Sequence, residues 1–439
     1  LDAYYRELPE FDLDDRSDGD LYAAAVSHWA IGQRRRQGDV QTVVMSPDRD
    51  RDGWHSGRSV VLLVADDAPF LVDTIRIVLE RHGIATHLLV HPMLHVCRDE
   101  DGRVATILRP GDEGAGVVEP GTDLAVEAWT QVEIDRIEPD AAAALQSDID
   151  ASVRQTQRVV SDFGPMRDRM AEHSRLDPLL GWLIDRNFVF LGASRFDERD
   201  GVAVRRPDSD LGLSVGSAVV DPAIDLDAPM VSVARSSRVS PVHRAVRLTA
   251  ITVRDDVDGE PIVDRFVGLL ASSAYRQSTL AIPSVGDRAR RVLGLAADGA
   301  ETHTGRSMRN VLETLPRDIV FELDADHLAE LVIDVVGLQE RQIVRVIEVP
   351  EPVGTWSTVM VFLPKTRFTA GLPDQIADVV SEAFGSPTRD VESFIGTSSL
   401  ARITLTVEGD GTAQRDLDRL SDQIDAFTTS WWDRLRMAA

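Results

Sequence analysis

The stretch VADDAPFLVDTIRIVLERHGIATHLLVHPMLHVCRD, residues 64–99, decides the fold, because its punctuation separates a strand, a helix and a second strand. It continues the apolar run VVLLV at 60–64, which reads as a strand covered on at least one face. Asp66 and Asp67 follow as candidate N-caps, and Pro69 stands just inside the expected helix, where its missing N–H is harmless. Leu71, Ile75, Val78 and Leu79 recur at helical spacing and predict a buried stripe. Gly83 sits where a helix end needs a left-handed residue. A strand expected over 84–98 turns at Asp101-Gly102 into another, and 129–134 supplies a further strand. The order is β-α-β-β with a late strand.

Upstream, LYAAAVSHWAIGQRRR repeats Leu21, Ala24, Ala25, His28, Trp29 and Gly32 at helical spacing and reads as a docking helix with a basic end; Trp54 falls in a polar loop. Downstream, 139–173 is polar and alanine-rich, broken at Gly164-Pro165, and predicts linker helices. DPLLGWLIDRNFVFLGASRF then reads as helix and strand, and RLTAITVRDDVDGEPIVDRFVGLLASS as two strands around an Asp-rich turn. Helices are expected near 284–295, 307–315 and 326–339. The last unit has strands at 343–349 and 356–363 around the turn EPVGT, a helix at 372–384 closed by Gly385, a strand at 401–407 and a final amphipathic helix. Its order, β-β-α-β-β-α, is that of a circularly shifted ferredoxin-like unit. The expected class is α+β: tandem ferredoxin-like units, a central mixed α+β domain and linker helices. The expected boundaries are 1–38 (N-terminal helical segment), 39–138 (first unit), 139–175 (linker), 176–320 (central domain) and 321–439 (second unit with its C-terminal helix).

At roughly 100–200 residues per domain, 439 residues suit this division, and 43% apolar residues suffice for packed cores. Asp and Glu outnumber Lys and Arg by 73 to 47, and a net charge of −26 argues against nucleic-acid and anionic-membrane partners. Cys97 is the only cysteine and cannot form an internal disulfide. No apolar run reaches membrane-spanning length, so a soluble, cytoplasmic protein is expected. Lys365 is the only lysine, which excludes chemistry needing two. The first residue is Leu1, and a fragment of something longer is expected.

No G-x-G-x-x-G, Walker-type or G-x-S-x-G motif occurs, so the common nucleotide and nucleophile chemistries have no support. GDEGAG, 111–116, has glycines at the wrong spacing for phosphate and reads as a loop. His87, His91, His95 and Cys97 would share one face of an unbroken strand, but Pro92 interrupts it and no carboxylate has ligand spacing, so no metal site is assigned. VARSSRVSPVHR gathers Arg235, Arg238, His243 and Arg244 in an acidic protein; such forks bind carboxylates, either another domain's or a ligand's. Lys365 and Arg367, in LPKTRF, repeat the pattern at a strand-to-helix junction, where a solvated loop is the plain alternative.

With DLYAAAVSHW, SRVSPVHRAVRL, RFVGLLASSAY, ETLPRDIVFEL, LQERQIVRV and VFLPKTRF in order around it, the 64–99 stretch resembles the N-terminal regulatory region of the large bacterial NAD-specific glutamate dehydrogenases. The resemblance covers nearly the whole chain. It implies ACT-like sensor units, a PAS-like central domain over 176–320, and a downstream catalytic domain in the same polypeptide. The whole enzyme would convert L-glutamate to 2-oxoglutarate and ammonium with NAD, as a homo-oligomer. No catalytic lysine set or dinucleotide fold is present here, so this segment is expected to be inactive and to bind no NAD. An amino-acid effector would lie against the loop Asp66, Asp67, Ala68, Pro69 and Phe70, with Asp66 taking its ammonium and Asp67 capping the helix; capping alone requires no ligand. The rival reading is a scaffold that binds a partner protein and no small molecule. A hydrolase using Asp73 and His91 has no spacing in its favour.

Overall fold

The computed structural model describes residues 2–6, 8–9, 12, 16–108, 123–217, 220–257, 259–296, 299, 301–338, 341–351, 356–409 and 415–429. The glycine-rich loop at 111–116 and most of the EPVGT turn lie outside them. The chain divides into two units, the first comprising 1–164, 211–213 and 240–245 and the second the remainder.

In the first unit, β1 (Gln41–Met45), β2 (Ser59–Asp66), β6 (Asp123–Ile134), β4 (Met93–Arg98) and β5 (Val104–Leu108) lie side by side in that order, and β3 (Thr86–Val90) also pairs with β6. Helices α4 (Leu71–Arg81) and α5 (Pro139–Ser161) cover one face. Val61, Leu63, Ala65, Val132 and Ile134 of the sheet meet Ile75, Val78 and Leu79 of α4 and Leu145, Ile149 and Val153 of α5 there. Because successive side chains alternate, Val60, Leu62 and Val64 point to the opposite face. That face is covered by α2 (Asp18–Gly32), with the short helices α1 (Asp2–Tyr5) and α3 (Arg49–Asp52) beside it. Val60 to Val64 are all fully buried, which explains a continuous apolar run where a half-exposed strand would alternate.

The N-terminal helix docks through part of the stripe its spacing predicts, with Leu21 and Ala25 half-buried and Trp29 exposed. Ala24, His28 and Gly32 are buried, and a Cβ at Gly32 would overlap the Trp129 ring. Trp54, expected in a polar loop, is in the core beside Ala24 and Leu62 and donates to Ser27 Oγ at 3.0 Å. His28 bonds Tyr4 Oη at 2.6 Å and the Leu63 carbonyl at 3.0 Å, and burial pulls its imidazole down to about 4, so the ring is neutral at pH 7.

Three expectations need correction. The strand foreseen over 84–98 breaks at His91-Pro92 into β3 and β4, which pair with successive halves of β6; Pro92 has no N–H for the ladder and instead accepts from the Trp129 amide at 3.1 Å. The cap and proline positions also differ. Asp66 ends β2, the Asp67 amide pairs with the Val126 carbonyl, and α4 starts only at Leu71, after Phe70 in the left-handed region, with no side-chain cap. Finally, α5 is no linker: an amphipathic helix of 23 residues, it is the second helix of this unit's core, and Thr156 on it bonds Thr74 of α4 at 3.0 Å. Gly83 does adopt φ 66° at the end of α4.

In the second unit, β7 (Phe188–Arg199), β8 (Val202–Gly212), β9 (Val231–Val239), β10 (Arg247–Val257) and β11 (Glu260–Leu270) form an antiparallel sheet ordered β8-β7-β11-β10-β9, in which the first and last strands are central neighbours. It follows α6 (Phe163–Glu172) and α7 (Pro178–Trp182). Beyond it come α8 (Ser272–Arg276), α9 (Val285–Leu293), α10 (His303–Thr314), α11 (Arg317–Glu322) and α12 (Ala325–Leu338). Then β12 (Arg345–Pro350), β13 (Trp356–Pro364), β15 (Leu400–Glu408) and β14 (Thr388–Phe394) make a four-stranded sheet in that order. Helices α13 (Leu372–Phe384) and α14 (Leu417–Thr428) cover one face of it through Val359, Val361, Ile403, Leu405, Ile376 and Ile424. This β-β-α-β-β-α order is the one expected, and Gly385 closes α13 at φ 67°. The mixed α+β class, with separate antiparallel sheets, is as the sequence predicts.

His173, just after α6, joins two strands of the central sheet. Its Nδ1 meets Asp255 and its Nε2 meets Asp264, each at 2.7 Å, while Arg175 and Arg195 neutralise the same carboxylates. Burial alone would lower the imidazole pKa, but the hydrogen bonds to Asp264 and Asp255 outweigh it and raise the value. The charged ring therefore contributes fully below its ordinary value of 6.5, and the contribution is lost as pH rises through the raised value. His173→Ala leaves buried carboxylates short of a partner and should cost about 3 kcal/mol. In urea unfolding, the gap between wild type and variant should narrow as the pH is raised above 6.5 and through the folded-state value.

Candidate functional site

The strand-to-helix loop of the first unit is built by alternation along β2 and β6. Asp66 and Glu127 both fall on the α2 face, where the chain after α2 delivers Arg35. Arg35 Nη2 lies 2.5 Å from Asp66 and 2.8 Å from Glu127, and Gly38 N donates to the other Asp66 oxygen at 2.8 Å. Arg98 grips both Glu127 oxygens at 2.6 and 2.8 Å, and Trp129 Nε1 adds a third donor. Desolvation pushes the Glu127 pKa up, yet the Arg98 and Arg35 hydrogen bonds prevail and hold it below the ordinary range. Asp66 thus already ties the N-terminal arm to the sheet.

Beyond Asp66, Phe70 is the loop residue that meets a distant candidate. The segment 240–245 belongs to the first unit, and its His243, at φ 71°, packs against Phe70 with ring centres 4.4 Å apart and planes tilted by 43°. His243 Nδ1 lies 3.6 Å from Asp73. Burial first, and then the Arg244 charge, lower the imidazole pKa against the pull of Asp73. Asp73 is therefore beside His243, while His91 bonds Thr130 at 2.7 Å and His87 bonds Asp135 at 2.7 Å. No group of three or more His, Cys, Asp or Glu suited to a metal occurs among the described residues.

The arginine-rich segment is not one loop. Arg235 and Arg238 both stand on β9, on either side of residues where its register with β10 shifts, and they meet different partners, whereas His243 and Arg244 lie in the 240–245 segment. Arg238 Nη1 is 3.3 Å from Ser217 Oγ. Arg235 reaches Glu322 of α11 at 2.8 Å, Glu351 at 3.1 Å and Thr358 Oγ1 of β13 at 2.7 Å. Arg247 holds both Glu351 oxygens at 2.7 and 3.0 Å and lies over the Trp356 ring. This cluster joins the central sheet, α11 and the last sheet on the face that α13 and α14 leave uncovered. Lys365 Nζ donates to the Gly396 carbonyl and Arg367 pairs with Asp425 at 2.7 Å, so both serve the local fold of the last unit.

Sequence reading missed Glu322, Glu351 and Arg247, as it missed Arg35, Arg98 and Glu127. A carboxylate inside a strand of otherwise apolar alternation, such as Glu127 in AVEAWTQVEI, was the available signal. Within the larger cluster, burial pushes the Glu322 carboxyl up to about 7, against the pull of Arg235, and also raises Asp318. Arg235 and Arg247 face Glu322, Glu351 and Asp318, leaving one carboxyl in excess.

Three family models match in chain order: the glutamate dehydrogenase ACT1 domain over 1–149, helical motif 1 over 282–341 and the ACT2 domain over 345–432. Together these matches make the chain similar to the N-terminal region of the NAD-specific glutamate dehydrogenases. The NAD-specific glutamate dehydrogenase of Halomonas elongata is 26% identical over 99% of the chain and 29% of its own length. That of Pseudomonas aeruginosa is 28% identical over 96% and 28%, and that of Mycobacterium tuberculosis 25% over 94% and 27%. The chain thus spans less than a third of these relatives. The ACT1 match contains the Asp66–Arg35–Glu127 network, and the buried arginine cluster connects the segment before the helical motif to both later matches.

Two outcomes are expected. Asp66→Ala leaves Arg35 with Glu127 alone and should cost about 1.5–3 kcal/mol in denaturant unfolding. Glu322 has a raised folded-state pKa, so its contribution is fully present below its ordinary 4.5 and is lost as pH rises through about 7. Glu322→Gln should flatten the fall in stability across that interval, measured as unfolding midpoints at successive pH values.

Proposed function

We propose that this chain is the non-catalytic regulatory and oligomerisation region of a large NAD-dependent glutamate dehydrogenase. The whole enzyme would convert L-glutamate, NAD and water to 2-oxoglutarate, ammonium and NADH in the cytoplasm, using a catalytic domain further along the same polypeptide. The observation that carries this reading is the ordered match of ACT1, helical motif and ACT2 within a chain covering under a third of its relatives. ACT-type units are regulatory modules, and an amino-acid effector at the Asp66, Asp67, Ala68, Pro69 and Phe70 loop is part of the proposal. With Asp66 engaged by Arg35, such an effector would bind near Phe70, His243 and Asp73. Arg235, and with it Arg247, would transmit changes in the last sheet to the central one.

That this segment binds no NAD is part of the proposal. Every described strand pairing is antiparallel, so no βαβ crossover provides the crevice in which a dinucleotide lies. Neither of the loops 67–70 and 365–371, which lead from a strand to the first helix of each ACT-type unit's core, has the glycine spacing for a pyrophosphate. No described helix is long and apolar enough to cross a membrane.

The acidic surface, with a net charge of −26, favours the second reading, a scaffold for a partner protein. A thermal-shift screen of the standard amino acids on the chain separates the two, because a ligand that binds only the native state raises its apparent stability. The chain alone should show no glutamate-dependent NAD reduction. Turnover above background that survives controls for contamination would overturn the non-catalytic assignment.

A further inference from the structure

The face of the β12–β15 sheet turned away from α13 and α14 holds a second buried arginine. Arg402 on β15 alternates with Ala401 and Ile403, which belong to the helix-covered core, and so points to the opposite side. It is only 9% exposed. Its guanidinium lies over the Phe394 ring, 4.9 Å from the centroid. Nε has no hydrogen-bond partner among the described residues, and no carboxylate there comes within ion-pair distance of the guanidinium. Glu392 acts on it only from further away, and burial pulls its pKa down to about 10. A buried guanidinium without an acceptor is costly. Every other deeply buried arginine discussed above has carboxylate partners.

Arg402 borders a cavity of about 220 Å³ between this sheet and helices α10 and α12. Phe362 of β13, Val335 of α12 and Val311 of α10 give it apolar walls, and Asn310 adds a polar side chain. The size suits a molecule of a few to a dozen heavy atoms. A planar fork at one end of an apolar chamber is complementary to a carboxylate on a short hydrocarbon body.

We propose that this cavity binds a small monocarboxylate with an apolar side chain, an α-amino or α-oxo acid, its carboxylate received by Arg402 and its hydrocarbon part packed against Phe362 and Val335. The site is separate from the Asp66–Phe70 loop and its occupancy does not depend on the regulatory reading, since binding is read on the chain itself. A ligand here would touch the helical layer and the last sheet together.

The test is calorimetric titration and thermal shift of the full chain with L-valine, with 3-methyl-2-oxobutanoate and with L-valinamide, which lacks the carboxylate. At least one of the two acids should bind and raise the melting temperature, and the amide should not; which acid binds assigns the amino or oxo class. Arg402→Gln should weaken that binding by about ten- to a hundredfold. Val335→Phe, which fills the chamber and keeps the arginine, should also abolish it and stands as the test if the first variant is poorly folded. Failure of both acids to bind at millimolar concentration, valinamide binding as well as valine, or undiminished binding in folded Arg402→Gln would each overturn the proposal.

Discussion

An antiparallel sheet with helices on one face can leave the other to water, but in both ACT-type units that second face is covered, and the cover is fixed by buried arginine–carboxylate pairs. In the first, Arg35 and Arg98 converge on Glu127 under the α2 layer. In the last, Arg235 and Arg247 converge on Glu351 and Glu322 under α11 and β9. Apolar packing would cover either face at least as well, since desolvation offsets most of the Coulombic attraction. Ion pairs add directionality: a helix resting on leucines can slide by a turn, whereas one joined to a bidentate arginine fork cannot move without leaving a buried charge unpaired.

The central sheet follows the same rule. His173 is held at both ring nitrogens by carboxylates on two strands, and those carboxylates are shared with Arg175 and Arg195. Such an arrangement tolerates little rearrangement, whereas places where groups are only partly satisfied resist it less. The excess carboxyl among Glu322, Glu351 and Asp318 is one such place, and the acceptor-free guanidinium of Arg402 is another. Both lie on the side of the last sheet turned away from α13 and α14.

Local structure was legible in the sequence wherever the hydrophobic period was strong. The α4 and α13 stripes, Gly83, Gly385 and the run at 60–64 all encode structure through neighbours within a few residues. What the sequence concealed depends on partners far along the chain. Asp66 and Asp67 look alike beside a helix start, and only the arrival of Arg35 on one face distinguishes them. The polar, alanine-rich α5 resembles a linker until its Leu145, Ile149 and Val153 stripe is set against a sheet completed elsewhere. Arg235 and Arg238 look like one patch, although Arg235 pairs with Glu322 and Glu351 while Arg238 meets Ser217. β14 is largely exposed, so its composition carries almost no burial signal.

The equivalent loops of the two ACT-type units sharpen the distinction between a polar loop and a receptive one. Residues 66–70 are acidic and residues 365–371 are basic, and each set invites assignment to a ligand of opposite charge. Yet Asp66 is bonded to Arg35 and Gly38, Lys365 to the Gly396 carbonyl, and Arg367 to Asp425. A ligand competing for these groups must first break an internal bond, so the new contact yields only the difference between two similar interactions. At Arg402 there is no such bond to exchange, and an incoming carboxylate would satisfy donors already removed from water. Charge visible in a sequence is therefore a weaker guide to recognition than buried hydrogen-bonding capacity left unused by the fold.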